Sequence, residues 1–258
     1  MKILVVGDIH GKKSILMDYI GIAHKMGIDT VVQVGDFGCH LSLEQINAYC
    51  EDKNVNLHFI PGNHEHWNIM DMEYPDRIFY HPIGDSATFD GVACKFVGGA
   101  TSVDRDFRTP GYDWFPEEEL LFSMGDTIEG EATIMFSHDC PSLVDIPPQA
   151  FMPDAEYIFG EKVMHRAAQH RDVLASVTNV VKPQLLIHGH YHHGYEGEFT
   201  HDGGTSTVIG LGKEMNKDSA CVIDTEDLSH SFVQWESVAL AQRQSVALRF
   251  NSNHNRRW

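Results

Sequence analysis

Seven side chains able to ligate a metal ion stand in five short blocks. Asp8 and His10 lie in Gly7-Asp8-Ile9-His10-Gly11, Asp36 in Gly35-Asp36-Phe37-Gly38 and Asn63 in Pro61-Gly62-Asn63-His64-Glu65. His138 lies in Ser137-His138-Asp139, and His188 and His190 in His188-Gly189-His190. Two carboxylates, an amide oxygen and four imidazoles, with no thiolate, suit borderline ions such as manganese, iron, zinc or nickel and disfavour calcium. Structural zinc takes four ligands; seven fit two ions sharing a bridging carboxylate. Two ions about 3.5 to 4 Å apart can clamp the attacking and leaving oxygens of an in-line phosphoryl displacement and generate hydroxide near neutrality. Hydrolysis of a phosphoester is the chemistry that follows. His64 adjoins Asn63, but consecutive side chains point apart, which leaves it free to bond the phosphate and protonate the leaving alkoxide as a general acid.

Each block follows a short apolar run with strand character: Ile3 to Val6, Val31 to Val34, Val55 to Ile60, Thr133 to Phe136 and Leu185 to Ile187. Further runs at Val92 to Val97, Thr207 to Ile209, Cys221 to Ile223 and Phe232 to Trp235 read as strands too. Helical spacing predicts helices over Ser14 to Gly27, Leu43 to Cys50, Tyr157 to Val180 and Ser237 to Leu248, the first capped by Ser14 and stopped by Gly27. The order β-α-β at the start and strand-rich towards the end predicts an α/β fold passing into α+β around two packed sheets. Ligands in open α/β sheets gather beyond the carboxyl ends of the strands. Residues 1–236 read as one domain, with an excursion over 101–119 that carries Arg105 and Arg108. Long loops within compact domains are usually functional, and both arginines, with Asn63, are candidates for holding substrate. Residues 237–258 form a basic tail with Arg243, Arg249, Arg256 and Arg257 and no acid after Glu236.

The blocks Gly7-Asp8-Ile9-His10-Gly11, Gly35-Asp36, Gly62-Asn63-His64-Glu65, His138 and His188-Gly189-His190 resemble, in order, those of the calcineurin-like metallophosphoesterase superfamily. The resemblance implies a four-layer α-β-β-α sandwich of two mixed sheets flanked by helices, with a dinuclear site at the strand edge. It further implies that Asp8, His10 and His190 hold one ion, that Asn63, His138 and His188 hold the other, that Asp36 bridges them and that His64 is catalytic. The stretch from Gly98 to Arg105, with Trp114 to Glu118 beyond it, is similar to small prokaryotic and phage members. One departure narrows the substrate. Phosphoprotein phosphatases of the superfamily carry an Asp and an Arg where this chain has Cys39 and His40, so a small phosphodiester or nucleotide, a cyclic nucleotide among them, is expected. A phosphomonoesterase, a phosphoprotein phosphatase and a non-catalytic metal-binding scaffold are the alternatives.

The chain has 37 acidic against 19 basic residues among 258, a formal charge of −18, which repels phosphate backbones. No extended nucleic acid is expected as a partner. Two divalent ions would nevertheless make the pocket locally cationic. No apolar run approaches the roughly 20 residues of a membrane span and no signal-peptide pattern is visible; the expectation is a cytoplasmic enzyme without membrane attachment. The five cysteines, odd in number and scattered, read as buried thiols. The basic tail offers a surface for docking on the acidic body or for a homo-oligomer.

Overall fold

The structure, a computed structural model, describes residues 1–233. The first strand, β1 (Lys2–Val6), shows why the opening run is apolar throughout. Leu4 and Val6 face one core while Ile3 and Val5 face another. Both faces are covered, so the usual polar alternation disappears. β1 pairs parallel to β2 (Thr30–Val34), which continues parallel to β3 (Asn56–Ile60) and β4 (Ile78–Tyr80). On its other side β1 pairs antiparallel with β11 (Ala220–Asp224), followed by β12 (His230–Phe232). The second sheet runs β5 (Ser86–Phe89), β6 (Val92–Val97), β7 (Ile134–Ser137), β8 (Leu185–His188), β10 (Gly204–Gly210), β9 (Tyr195–His201). Strands β6, β7, β8 and β10 are parallel, with antiparallel edges.

Three cores make the layers. Helices α1 (Lys13–Lys25) and α2 (Leu43–Lys53) pack Leu16, Ile20 and Ile46 on the outer face of the first sheet. Ile3, Val5, Val32 and Val34 meet Phe96, Phe136 and Ile187 between the sheets. Helix α5 (Glu161–Val181) lays Val173, Leu174 and Val177 on Met135, Leu186 and Val208 of the second. The two short helices are α3 (Phe122–Gly125) and α4 (Ala155–Phe159). The expected four-layer sandwich of two mixed sheets is therefore present.

Local departures have local causes. Strands β4, β5 and β9 were not anticipated: the first has three residues, and the other two lie at sheet edges with exposed polar positions. The single helix expected over Tyr157 to Val180 is broken at Gly160, whose φ of +87° ends α4 before α5 starts. Helix α1 begins at Lys13 with no side-chain cap, so Ser14 lies inside it. All five cysteines are free and buried. The expected helix over Ser237 to Leu248 and the basic tail lie outside the described residues.

Candidate metal centre

Because β1, β2 and β3 run parallel, their carboxyl ends share one edge, and β7 and β8 end beside it from the second sheet. The turns there are tight. His10, Asp36, His190 and His192 all take left-handed φ values, 48°, 54°, 66° and 55°, a cost that non-glycine residues bear mainly at functional sites. Glycines give room: a Cβ on Gly189 would overlap Asp8 Oδ1, and one on Gly62 would overlap Asp36 Oδ1 and stand 2.8 Å from His138 Nε2.

Asp36 is the hub. Its Oδ2 lies 3.3 Å from His10 Nε2 and its Oδ1 3.4 Å from His138 Nε2, while Oδ1 also accepts the His64 backbone N–H at 2.8 Å. Asp8 is fully buried; its Oδ1 accepts the His190 backbone N–H at 3.0 Å. Its Oδ2 has no hydrogen-bond partner, although His192 Nε2 stands 3.1 Å away. An orphaned carboxylate oxygen facing an imidazole nitrogen is what a pair of co-ligands looks like. Asp8, His10, Asp36 and His192 each offer an atom within 4.8 Å of the others. Beside them Asn63 Oδ1 lies 3.1 Å from His138 Nε2, and the His138 and His190 rings are 5.1 Å apart. Asn63 Nδ2 donates to Ser102 Oγ at 3.1 Å, which turns the amide oxygen towards His138. The donor set fits two divalent cations sharing Asp36.

Electrostatics agree with a cation site. Burial alone would raise Asp36, but the His138 and His10 imidazoles hold it well below the carboxylate range. Burial likewise opposes His10, yet Asp36, Asp8 and Glu214 raise it to about 9. His190 is pushed down to about 4 by burial, leaving a neutral ring with a lone pair to give. Cations entering beside the two aspartates compete with protons for the His10 and His138 nitrogens, which couples metal uptake to pH.

Most of the sequence-predicted residues converge, and two do not. His188, expected as a ligand, lies on β8 with Nδ1 2.9 Å from the Gly189 carbonyl and Nε2 2.8 Å from Tyr195 Oη, so both nitrogens are engaged outside the group around Asp36. His192 stands in the cluster instead. The left-handed residues at 190 and 192 break strand alternation, and that turn re-aims the side chains. Arg105 donates to Glu119 Oε1 at 3.0 Å and lies over the Trp114 ring, and it does not line the cavity at the centre. Arg108 does line it. Its Nη2 donates to His64 Nε2 at 3.0 Å and pairs with Asp104 at 2.7 Å. His64, at the cavity edge, is lowered by partial desolvation of its ring among the surrounding groups and by the Arg108 charge, against the pull of Asp36.

Three positioning residues were missed. Glu214 accepts from His10 Nδ1 at 2.8 Å, which turns Nε2 towards Asp36, and it also pairs with Lys12. Glu65 gathers the backbone N–H groups of Phe37, Gly38 and Gly62 and bonds His40 at 2.8 Å, tying two ligand turns together. Glu118 accepts from the Ser102 backbone and Trp114 Nε1, anchoring the excursion beside Asn63. The adjacency of Glu65 to His64 was the available signal; Glu214, 204 positions from His10, offered none.

The sandwich is shared with solved structures. One aligns with a TM-score of 0.59 at 14% identity over 90% of this chain and 98% of its own. The protein TT1561 of Thermus thermophilus aligns with a TM-score of 0.52 at 12% identity, again over 90% and 98%. No curated protein sequence matches the chain. The sequence model of the calcineurin-like phosphoesterases matches residues 1–194, the stretch that holds every residue of the centre from Asp8 to His192, and the chain belongs to that family.

Proposed function

We propose that this phosphoesterase hydrolyses a small phosphodiester or nucleotide with two divalent ions, manganese being the expected pair. Asp8, His10 and His192 serve one ion, Asn63, His138 and His190 the other, and Asp36 both; His190 thus leaves the ion that the resemblance gave it for the one beside His138, whose ring is 5.1 Å away. The observation that carries this reading is one carboxylate shared by two ligand groups that open, with His64 and Arg108, into a cavity of about 430 Å³. Bound divalent ions supply Lewis-acid charge and lower the pKa of water. The chain's own residues do the rest. Arg108 is placed to bind the phosphate; in doing so it exchanges its hydrogen bond to His64 for one to the substrate and frees Nε2. His64, protonated at that atom, then gives its proton to the leaving oxygen. Its lowered proton affinity favours the gift.

The positions that separate this chain from phosphoprotein phosphatases support a small substrate. Cys39 and His40 are buried, and His40 is bonded to Glu65 instead of facing the cavity. Residence in the cytoplasm and self-association through the basic tail belong to the same reading and rest on the sequence; among the described residues no helix is long and apolar enough to cross a membrane. Purified protein supplemented with manganese should hydrolyse bis(p-nitrophenyl) phosphate. Two bound ions without turnover of diesters, monoesters or nucleotides would overturn the proposal and favour a binding protein.

A further inference from the structure

We propose that the phosphoester taken by this site carries an uncharged, apolar organic group of about aryl size, seated against a wall built from residues 150–168. The inference rests on the phosphoesterase reading and narrows its substrate. The cavity has two unlike walls. One presents Asp36, Asn63, His64, His190, His192 and Arg108. The other presents Phe151, Met152, Ala155, Phe159, Met164 and Ala168. A ligand whose phosphorus sits at the first wall must lay its substituent on the second.

The charged groups at the second wall are already engaged. Arg171 donates from Nε to the Cys140 carbonyl at 3.0 Å and from Nη2 to that of Pro141 at 3.1 Å, with its guanidinium over the Tyr191 ring. Asp139 accepts from the Cys140 backbone at 2.7 Å, from Tyr191 Oη at 3.0 Å and from His170 Nδ1 at 2.9 Å. Asp104 is paired with Arg108. Beyond the remaining N–H groups of Arg171, the wall therefore has little to offer the hydrogen-bonding edge of a nucleobase or a second phosphate. Phe151 and Met152 are 42% and 56% exposed beside it. Phe151 meets Tyr191 edge-on at 5.5 Å and Phe159 meets Phe107 at 6.5 Å, which holds two rings in place. Exposed apolar surface continuous with catalytic groups marks a binding groove, and the volume is that of a small-molecule pocket.

The test measures binding to the full-length, manganese-loaded protein by calorimetry, with inorganic phosphate, methylphosphonate, phenylphosphonate and thymidine 5′-monophosphate as probes. Phenylphosphonate should bind roughly tenfold more tightly than methylphosphonate, the gain expected from burying one aryl face. Phe151→Ser with Met152→Ser should cut that preference below about threefold while metal content and affinity for inorganic phosphate stay unchanged; both side chains are exposed, so the fold is retained. Equal affinity for the two phosphonates in protein that binds ions and inorganic phosphate would overturn the apolar subsite and leave the phosphoesterase reading standing. Tighter binding of the nucleotide than of phenylphosphonate would overturn it in favour of a base pocket. Failure of metal-loaded protein to bind any of the four would overturn both readings.

Discussion

Asp36 has an imidazole on each oxygen, and the neighbours of that one side chain set most of what single substitutions should do. His64 reaches Asp36 only through its backbone N–H, so His64→Ala should keep both ions, measured by mass spectrometry, while the rate falls roughly 10²- to 10⁴-fold, the usual share of a general acid. Loss of metal in that variant would make the residue structural. His192→Ala should lose one ion of two, whereas His188→Ala should keep both and lose stability, because His188 bonds Tyr195 and not the aspartates. Asp8, His10, Asp36, Asn63 and His190 stand out in the sequence because each follows a strand end and has a glycine beside it, and His138 by its strand end alone. The choice between His188 and His192 was not legible: it depends on two left-handed backbone residues, and spacing does not report φ. Arg105 and Arg108 were equally plausible for the same reason, the decision between them resting on Glu119, which only folding brings beside Arg105.

Elements enter through the turns they end in. Gly62→Ala would drive a methyl group into Asp36 and His138. Overpacking of this kind costs about 1 to 3 kcal/mol, and here the atoms that must move are the ligands. The variant should therefore lose metal affinity far more than thermal stability, a split that calorimetric metal titration and thermal unfolding would resolve; equal metal binding would show that the turn has slack. Strands buried on both faces were legible as unbroken apolar runs. Those at the rims were not: β5 and β9 carry exposed polar positions and β4 only three residues, so nothing in their periodicity distinguishes them from loops. Gly160 within the longest helical pattern could have signalled the break between α4 and α5, and that break brings Phe159 to the cavity.

On the scale of the whole molecule, the two sheets are held together by a buried histidine chain. His58 on β3 bonds His81 at 2.8 Å, His81 bonds Asp85 at 2.7 Å, and His81 lies flat on Phe96 of the second sheet with ring centroids 3.7 Å apart. Burial, with the His81 charge, pushes His58 down to about 3. The folded ring stays neutral while an unfolded one takes a proton below about 6.5. Stability is thus complete above that pH and lost as pH falls towards 3. Between pH 6.5 and 5 this one group should cost about 2 kcal/mol, with His81, also lowered, acting in the same direction. His10, raised to about 9, gains its share between pH 9 and 6.5 and does not offset the loss below. Urea midpoints measured across this range should fall steeply, and His58→Leu should flatten the curve; an unchanged slope would remove His58 from the account. The formal charge of −18 and a cation-binding cleft coexist because one is a sum over the surface and the other a property of a few buried groups. The pairing of β1 with β11 carries a different consequence. Residues 2–6 form an inner strand whose neighbour is 220–224, so during synthesis this strand waits for one far behind it in the chain. The first sheet cannot close on the ribosome until β11 has emerged, and the nascent chain must hold β1, with its apolar faces, unpaired on that side, which makes it a natural client for chaperones.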